Sequence, residues 1–143
     1  MAAEMVLPTW DNFSNGSWNY FLYSEPGRPL TILPWDLDDC LSFRTPPDAD
    51  PHGFSGHADE LSKLRVLMDS STAWRDRFDE HLAKFRDGVY RDLEARTTYV
   101  CGQVRSDFET DPNRYGTLEE FDAECSDIRQ RIRLRREYLL NVQ

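Results

Sequence analysis

The sequence predicts an α+β fold that is mostly α-helical, in which a short β-hairpin and a long loop pack on a bundle of about four helices. Two short apolar runs, residues 19–23 and 30–34, are separated by a turn signal, and later apolar residues recur at helical spacing. A chain of 143 residues has room for one domain or part of one. We therefore expect a single partial domain over 1–143, with a hairpin and loop segment at 1–57 and a helical segment at 58–143.

The hairpin prediction depends on the residues between the two apolar runs. Pro26 and Gly27 lie there, and a Pro-Gly pair in such a place favours a tight turn. Residues 39–57 then contain three prolines and two glycines, which indicates a long irregular loop. Loops of this length in compact domains tend to be functional or mobile.

Four segments with helical periodicity follow the loop. They cover residues 59–69, 72–89, 93–108 and 118–139. The last of them is preceded by Thr117 and has Glu120 three residues later, which is the capping-box pattern of a helix N-terminus. The sequence therefore defines the start of the final helix most clearly.

Arg135 interrupts the apolar stripe of this final helix. A buried arginine needs a carboxylate partner, so Arg135 either braces an acid of the hairpin region or extends past the core edge into water. Four other arginines crowd the same segment, and we interpret them as a solvated helix face near the negative end of the helix dipole. They are Arg129, Arg131, Arg133 and Arg136.

Residues 2–7 have the composition of the last turns of a helix that is cut off at Met1. A domain rarely opens so close to its most chemical segment. We therefore expect the chain to be the C-terminal portion of a longer protein.

Composition excludes some classes of function. The formal net charge is −9, so the chain repels phosphate backbones and a general nucleic-acid role is disfavoured. No apolar run approaches the roughly 20 residues that a membrane helix requires. The negative charge is compatible with capture of a divalent cation.

Three cysteines, Cys40, Cys101 and Cys125, form no CxxC pair and no zinc spacing. Buried free thiols are the expected state, because cysteine is among the most buried residue types. A Cys101–Cys125 bridge between neighbouring helices is the alternative, and it would indicate an oxidising compartment.

Asp11 and Asn19 are the first candidate site residues. Asp11 lies in a polar loop after Trp10, where a carboxylate can orient and deprotonate an acceptor hydroxyl. Asn19 opens the first apolar run, where its amide oxygen can bind a metal ion without adding negative charge. The alternative is that Asp11 forms an Asx-turn and Asn19 bonds to nearby backbone.

Asp36 and Asp38 follow the second apolar run. Alternate residues at a strand end point to one side, so we expect the two carboxylates to converge on one hard cation while Trp35 and Leu37 face the opposite side. Asp39 adds a third acid, and such clustering is unfavourable unless the charges are solvated or neutralised by a metal. The alternative is a solvated acidic turn.

The order of these residues resembles the spore-coat CotH-type atypical protein kinases. The similar segments are Trp10-Asp11, Asn19-Tyr20-Phe21-Leu22-Tyr23 and Pro34-Trp35-Asp36-Leu37-Asp38, all within residues 10–43. The resemblance implies a protein-kinase C-lobe and transfer of the ATP γ-phosphoryl group to Ser or Thr of a coat or surface protein. It also implies Asp11 as the catalytic acid, Asn19 and Asp36 as ligands of Mg²⁺ or Mn²⁺ with ATP, and Asp38 as an additional ligand or support.

Two features depart from the family pattern. Many relatives have Phe-Gly shortly after the Asp-Leu-Asp, whereas Phe43 is followed here by Arg44. The N-terminal lobe, with its glycine-containing phosphate loop and ATP-contacting lysine, has no counterpart, since Lys63 and Lys84 lie on predicted amphipathic helices.

The sequence therefore leaves three candidate functions. The first is the catalytic portion of a CotH-like kinase, with ATP and a protein substrate as partners and a secreted, surface or spore-coat location implied by the resemblance. The second is an inactive scaffold or interaction module of the coat or cell surface that binds a divalent metal, with Ca²⁺ in the acidic turn. The third is a helical structural domain whose acids are only solvated.

Overall fold

The computed structural model of the protein describes residues 6–9, 19–38, 40–41, 45–51 and 70–142. The described chain is mostly helical with one two-stranded antiparallel sheet. Its strands are β1 (Tyr20–Tyr23) and β2 (Thr31–Pro34), and its α-helices are α1 (Thr72–Lys84), α2 (Tyr90–Thr110) and α3 (Leu118–Asn141). A π-helical segment, Phe85–Val89, lies between α1 and α2.

Three of the four predicted helical segments are thus present among the described residues. The segment predicted at 59–69 lies outside them, so the bundle of about four helices is not confirmed. The chain divides into two compact units, residues 1–85 and residues 86–143. The predicted boundary between the hairpin and loop segment and the helical segment, at residues 57 and 58, also lies outside the described ranges.

The predicted hairpin is confirmed. Phe21 lies opposite Leu33 and Leu22 opposite Ile32 in the antiparallel register. The backbone N–H of Arg28 donates to the carbonyl of Glu25 at 3.0 Å, which closes a four-residue turn. Gly27 in that turn has φ +76°, a left-handed conformation that a turn with Pro at its second position and Gly at its third requires.

α1 buries only part of its predicted apolar stripe. Phe78 and Leu82 are buried, whereas Trp74 is 55% exposed. Ser71 occupies the N-cap position, but its side chain makes no capping hydrogen bond.

The predicted break between residues 89 and 93 is wrong. Phe85 and Val89, at either end of the π-helical segment, both have right-handed helical dihedral angles. The chain therefore passes from α1 into α2 without leaving helical conformation, because the π-helical turn absorbs the change in side-chain periodicity.

α2 and α3 form an antiparallel helical hairpin within the second unit. Near the C-terminal end of α2, Phe108 stacks on Phe121 with ring centroids 4.7 Å apart, and Arg105 donates two hydrogen bonds of 2.9 Å to Asp122. Further along, a disulfide joins Cys101 to Cys125, and Arg133 pairs with Glu94. Residues later in α3 thus contact residues earlier in α2, which is the pattern of an antiparallel pair of helices.

The start of α3 is the predicted capping box. The N–H of Glu120 donates to Thr117 Oγ1 at 3.1 Å, and the N–H of Thr117 donates to Glu120 Oε2 at 2.7 Å. Gly116 precedes the box with φ +94°, and a Cβ there would lie 2.9 Å from Glu120 Oε2. The connection thus depends on glycine at this position.

The second unit buries apolar side chains along α3 together with one arginine. Ile132 and Leu139 are 2% and 1% exposed, and Arg135 is 1% exposed. The alternative in which Arg135 extends into water is therefore wrong. Its guanidinium carbon lies 5.5 Å from the centroid of the Tyr138 ring, within cation–π range. Pairing of Arg135 with an acid of the hairpin region stays a prediction.

The expectation of free thiols is wrong for two of the three cysteines. Cys101 and Cys125 form a disulfide with Cα atoms 6.3 Å apart, while Cys40 is partly buried and takes no part in this bridge. Antiparallel packing of α2 on α3 brings the two residues together, although 24 positions separate them in the chain. Across the described ranges, no helix combines the length and apolar character needed to span a membrane.

Candidate functional site

The open end of the β-hairpin carries two of the predicted site residues. The backbone N–H of Trp35 donates to the carbonyl of Asn19 at 2.9 Å. This bond extends the pairing one step beyond Tyr20 and Pro34, the last pair of the ladder. Asp36 follows Trp35 directly, so the hairpin register brings Asn19 and Asp36 to the same end of the sheet.

Both of these residues have an unusual backbone conformation. Asn19 has φ +53° and Asp36 has φ +56°, in the left-handed region that non-glycine residues seldom adopt. Asn and Asp tolerate this region better than other side chains. Residues held in such conformations cluster at ligand-binding and active sites. The strain therefore lies at the two positions for which the sequence predicts metal ligation.

The predicted placement of Asp36 and Asp38 on a strand end is wrong. β2 ends at Pro34, and the left-handed Asp36 breaks the alternation of side-chain directions. The N–H of Cys40 donates to the carbonyl of Leu37 at 3.2 Å, so Asp38 lies within a turn. Asp36 and Asp38 are both exposed, and the expectation that they point to one side no longer follows from strand geometry. Trp35 and Leu37 are also exposed, at 48% and 41%.

A second backbone hydrogen bond lies on the C-terminal side of the segment that carries Asp36 and Asp38, which we call the acidic turn. The N–H of Leu41 donates to the carbonyl of Pro8 at 2.9 Å. Leu41 is buried and has φ +58°, which is a rare conformation for a bulky side chain. Two residues near Pro8 in the chain, Val6 and Thr9, are each 1% exposed.

This contact bears on the predicted catalytic acid. Asp11 itself lies outside the described residues, as does Asp39. Pro8 precedes Asp11 by three positions, so the bond to Leu41 connects the end of the acidic turn to the segment leading to Asp11. The sequence carries no signal for this role of Leu41, because a single leucine in a loop has no periodic context.

The donor set at the hairpin end is made of oxygen atoms. An amide from Asn19 and carboxylates from Asp36 and Asp38 are ligand types that Mg²⁺ and Mn²⁺ accept. Asn19 is half-buried, whereas the two acids are exposed and open to an incoming ion. In the described part of the chain, no three His, Cys, Asp or Glu side chains gather closely enough to hold a metal ion.

An aromatic surface adjoins this end of the hairpin. Phe21 and Trp35 stack with ring centroids 5.9 Å apart and planes 30° apart. Both rings remain open, since Phe21 is 62% and Trp35 is 48% exposed. A flat, exposed aromatic pair next to oxygen donors suits a planar ring with an attached charged group.

The structure thus brings Asn19 and Asp36 to one strained hairpin end in a mostly helical chain. The sequence model of one protein family, described as CotH kinase protein, matches residues 1–139 of the chain. The chain therefore belongs to the CotH kinase family, and the predicted family resemblance is confirmed. No curated protein sequence and no solved structure matches the chain.

Family membership indicates a kinase-like or coat-related role.

Proposed function

We propose that this chain provides the catalytic loop and metal-binding segment of a CotH-like protein kinase, which transfers the γ-phosphoryl group of ATP to Ser or Thr of a coat or surface protein. The observation that carries the proposal is the pair of backbone hydrogen bonds around residues 36–40. One joins Trp35 to Asn19, and the other joins Leu41 to Pro8. The acidic turn is thereby fixed between Asn19 and the segment that leads to Asp11.

The proposed roles follow from the chemistry of each side chain. Asp11 accepts the proton of the acceptor hydroxyl. As this happens, the hydroxyl oxygen forms a bond to the γ-phosphorus, and the bond between that phosphorus and ADP breaks. Asn19 and Asp36 hold Mg²⁺ or Mn²⁺, and Asp38 either binds it directly or supports a ligand. The bound cation supplies positive charge that offsets the charge of the triphosphate.

Asn19 limits repulsion in this arrangement, because a neutral amide adds no charge beside the acids and phosphates. The left-handed backbone at Asn19 and Asp36 orients both side chains before any ligand binds. The exposed Phe21–Trp35 pair offers a stacking surface for the adenine.

Binding and transfer should be separable by mutation. In isothermal titration with Mn²⁺ and ATP, we expect Asp36→Asn to remove most of the heat of binding, since it replaces a charged ligand by a neutral one. Asp11→Asn should bind Mn²⁺ and ATP normally but transfer ³²P from labelled ATP to a Ser-rich acceptor about a hundredfold more slowly. Asp48→Asn is the matched control, because Asp48 is an exposed acid of the same unit outside the site.

Equal heats for Asp36→Asn, Asp48→Asn and the unaltered chain would contradict the proposal. The scaffold alternative makes a different prediction, in which Ca²⁺ raises the melting temperature and nucleotide has no effect. The exposed carboxylates of Asp36 and Asp38 favour this second candidate if no ATP binding is measured.

A further inference from the structure

A cleft between α2 and α3 lies in the second unit, and none of the described residues that line it belongs to the proposed phosphotransfer site. It has a volume of about 390 Å³ and polar side chains on both walls. These include Glu94 and Thr98 from α2, and Ser126, Arg129, Gln130 and Arg133 from α3. Leu134, which is 44% exposed, adds an apolar surface. We call this feature the α2–α3 cleft.

The cleft is locally positive in a chain whose net charge is −9. Arg129, Arg133 and Arg136 recur at helical spacing and therefore share one side of α3. All three act on Glu94: the hydrogen bond from Arg133 lowers the pKa of the Glu94 carboxyl most, and the charges of Arg133, Arg129 and Arg136 lower it further. Of the charged residues that line the cleft, Glu94 faces two arginines, Arg129 and Arg133, which leaves positive charge in excess.

Arg129 differs from its neighbours on α3. Arg131 pairs with Asp127 at 2.6 Å, and Arg133 pairs with Glu94. Within the described ranges Arg129 makes neither a hydrogen bond nor an ion pair, although it lines the cleft and is partly buried. A partly buried guanidinium carries five N–H donors that favour a carboxylate or phosphate partner.

We propose that the α2–α3 cleft binds an acidic peptide segment of a partner protein, with Arg129 holding a carboxylate of that segment. Ser126 and Gln130 offer a hydroxyl and an amide that can bond to the peptide backbone, and Leu134 contacts the aliphatic part of a side chain. A nucleic acid is disfavoured, because its phosphates would extend beyond the cleft along a chain with a net charge of −9. This binding is independent of the proposed phosphotransfer.

Fluorescence anisotropy of the full chain with a fluorescein-labelled octapeptide of alternating Glu and Ser tests the proposal. We expect saturable binding that weakens with added NaCl, and little binding of the matching peptide with Gln in place of Glu. Arg129→Gln should weaken binding about tenfold, the loss expected for one charge-assisted contact. Arg114→Gln, an equal charge change at the connection between the helices, should leave it within about twofold.

Glu94→Gln gives a result of opposite sign. It removes the carboxylate that competes for Arg133 and Arg129, so binding of the Glu peptide should tighten about threefold. A purely structural role for the cleft would not predict one variant that weakens binding and one that strengthens it. Arg129→Gln should also leave the melting temperature unchanged, because no ion pair among the described residues is lost.

Three outcomes would overturn the proposal. One is equal binding of the Glu and Gln peptides, and the second is a loss for Arg129→Gln no larger than that for Arg114→Gln. The third is complete displacement of the peptide by inorganic phosphate at millimolar concentration, which would make a free anion the ligand instead. None of these outcomes depends on whether the chain transfers phosphate.

Discussion

Among the described residues of the first unit, three non-glycine residues adopt left-handed backbone conformations, and all three lie around the acidic turn. They are Asn19, Asp36 and Leu41, with φ of +53°, +56° and +58°. Each such residue lowers stability by roughly 1–2 kcal/mol, so its surroundings must hold it in place. Hydrogen bonds from Trp35 to Asn19 and from Leu41 to Pro8 provide part of that restraint.

This strain predicts the effect of removing the Cβ atom at residue 36. Asp36→Gly should be more stable than Asp36→Ala by about 1 kcal/mol, because only glycine adopts positive φ without steric conflict. Urea unfolding of the two variants measures the difference, since both lose the same carboxylate. At Asp48, which has no positive φ, the order should reverse. Equal stabilities of the Gly and Ala variants at residue 36 would show that the strained conformation is not maintained.

The start of α3 illustrates control at the scale of an element. Its reciprocal bonds between Thr117 and Glu120 satisfy backbone donors that the helix itself cannot pair. The same contacts lower the pKa of Glu120, with the backbone N–H of Thr117 as the main cause.

Thr117→Ala should lower the free energy of unfolding by about 1 kcal/mol, since it removes the N-cap acceptor. Thr98→Ala is the matched control, because the Thr98 hydroxyl only donates to the carbonyl of Glu94 in its own helix. That change should stay within about 0.5 kcal/mol. Thermal unfolding followed by circular dichroism measures both, and equal losses would argue against the capping role.

The disulfide between α2 and α3 acts on the same helical hairpin. It closes a loop with a sequence separation of 24, so the chain-entropy model predicts that its removal destabilises the protein by roughly 3 kcal/mol. We expect Cys101→Ser to lower the denaturation midpoint, and Cys40→Ser to leave it nearly unchanged. Mass spectrometry after alkylation without reductant should find one modified thiol. Three modified thiols would contradict the bridge.

At the scale of the whole molecule, acidic side chains paired with arginines set the response to pH. Hydrogen bonds from Arg133 and Arg105 lower the pKa of Glu94 and of Asp122, respectively, and Thr117 lowers that of Glu120. These carboxyls therefore hold fewer protons in the folded chain than in the unfolded chain as the pH falls through their titration range.

Protonation then favours the unfolded state, so we expect the melting temperature to fall as the pH is lowered from about 5 to about 3. The contribution of these groups is complete above their unfolded-state pKa values and disappears below the folded-state values. A double variant, Glu94→Gln with Asp122→Asn, should show a shallower dependence on pH. A melting temperature that rises on acidification would contradict this explanation.

Sequence reasoning succeeds where a feature depends on neighbours within a few residues. The Pro26-Gly27 pair predicts the hairpin, and the spacing of Thr117 and Glu120 predicts the start of α3. It fails at residues 85–93, where the change in apolar periodicity predicts a break between two helices. A π-helical turn keeps the chain helical there. It also fails for Asp36, since no residue pattern signals the left-handed backbone conformation that breaks the alternation of side chains there.

The sequence by itself determined the hairpin, the final helix and membership of the CotH kinase family, because these depend on local turn chemistry, helical periodicity and an ordered motif. Tertiary structure decided the rest. Packing of α2 against α3 joined Cys101 to Cys125, and burial of Arg135 excluded its extension into water. Two backbone hydrogen bonds fixed the acidic turn between Asn19 and Pro8. Such contacts join residues distant in the chain, so their formation depends on how the elements pack.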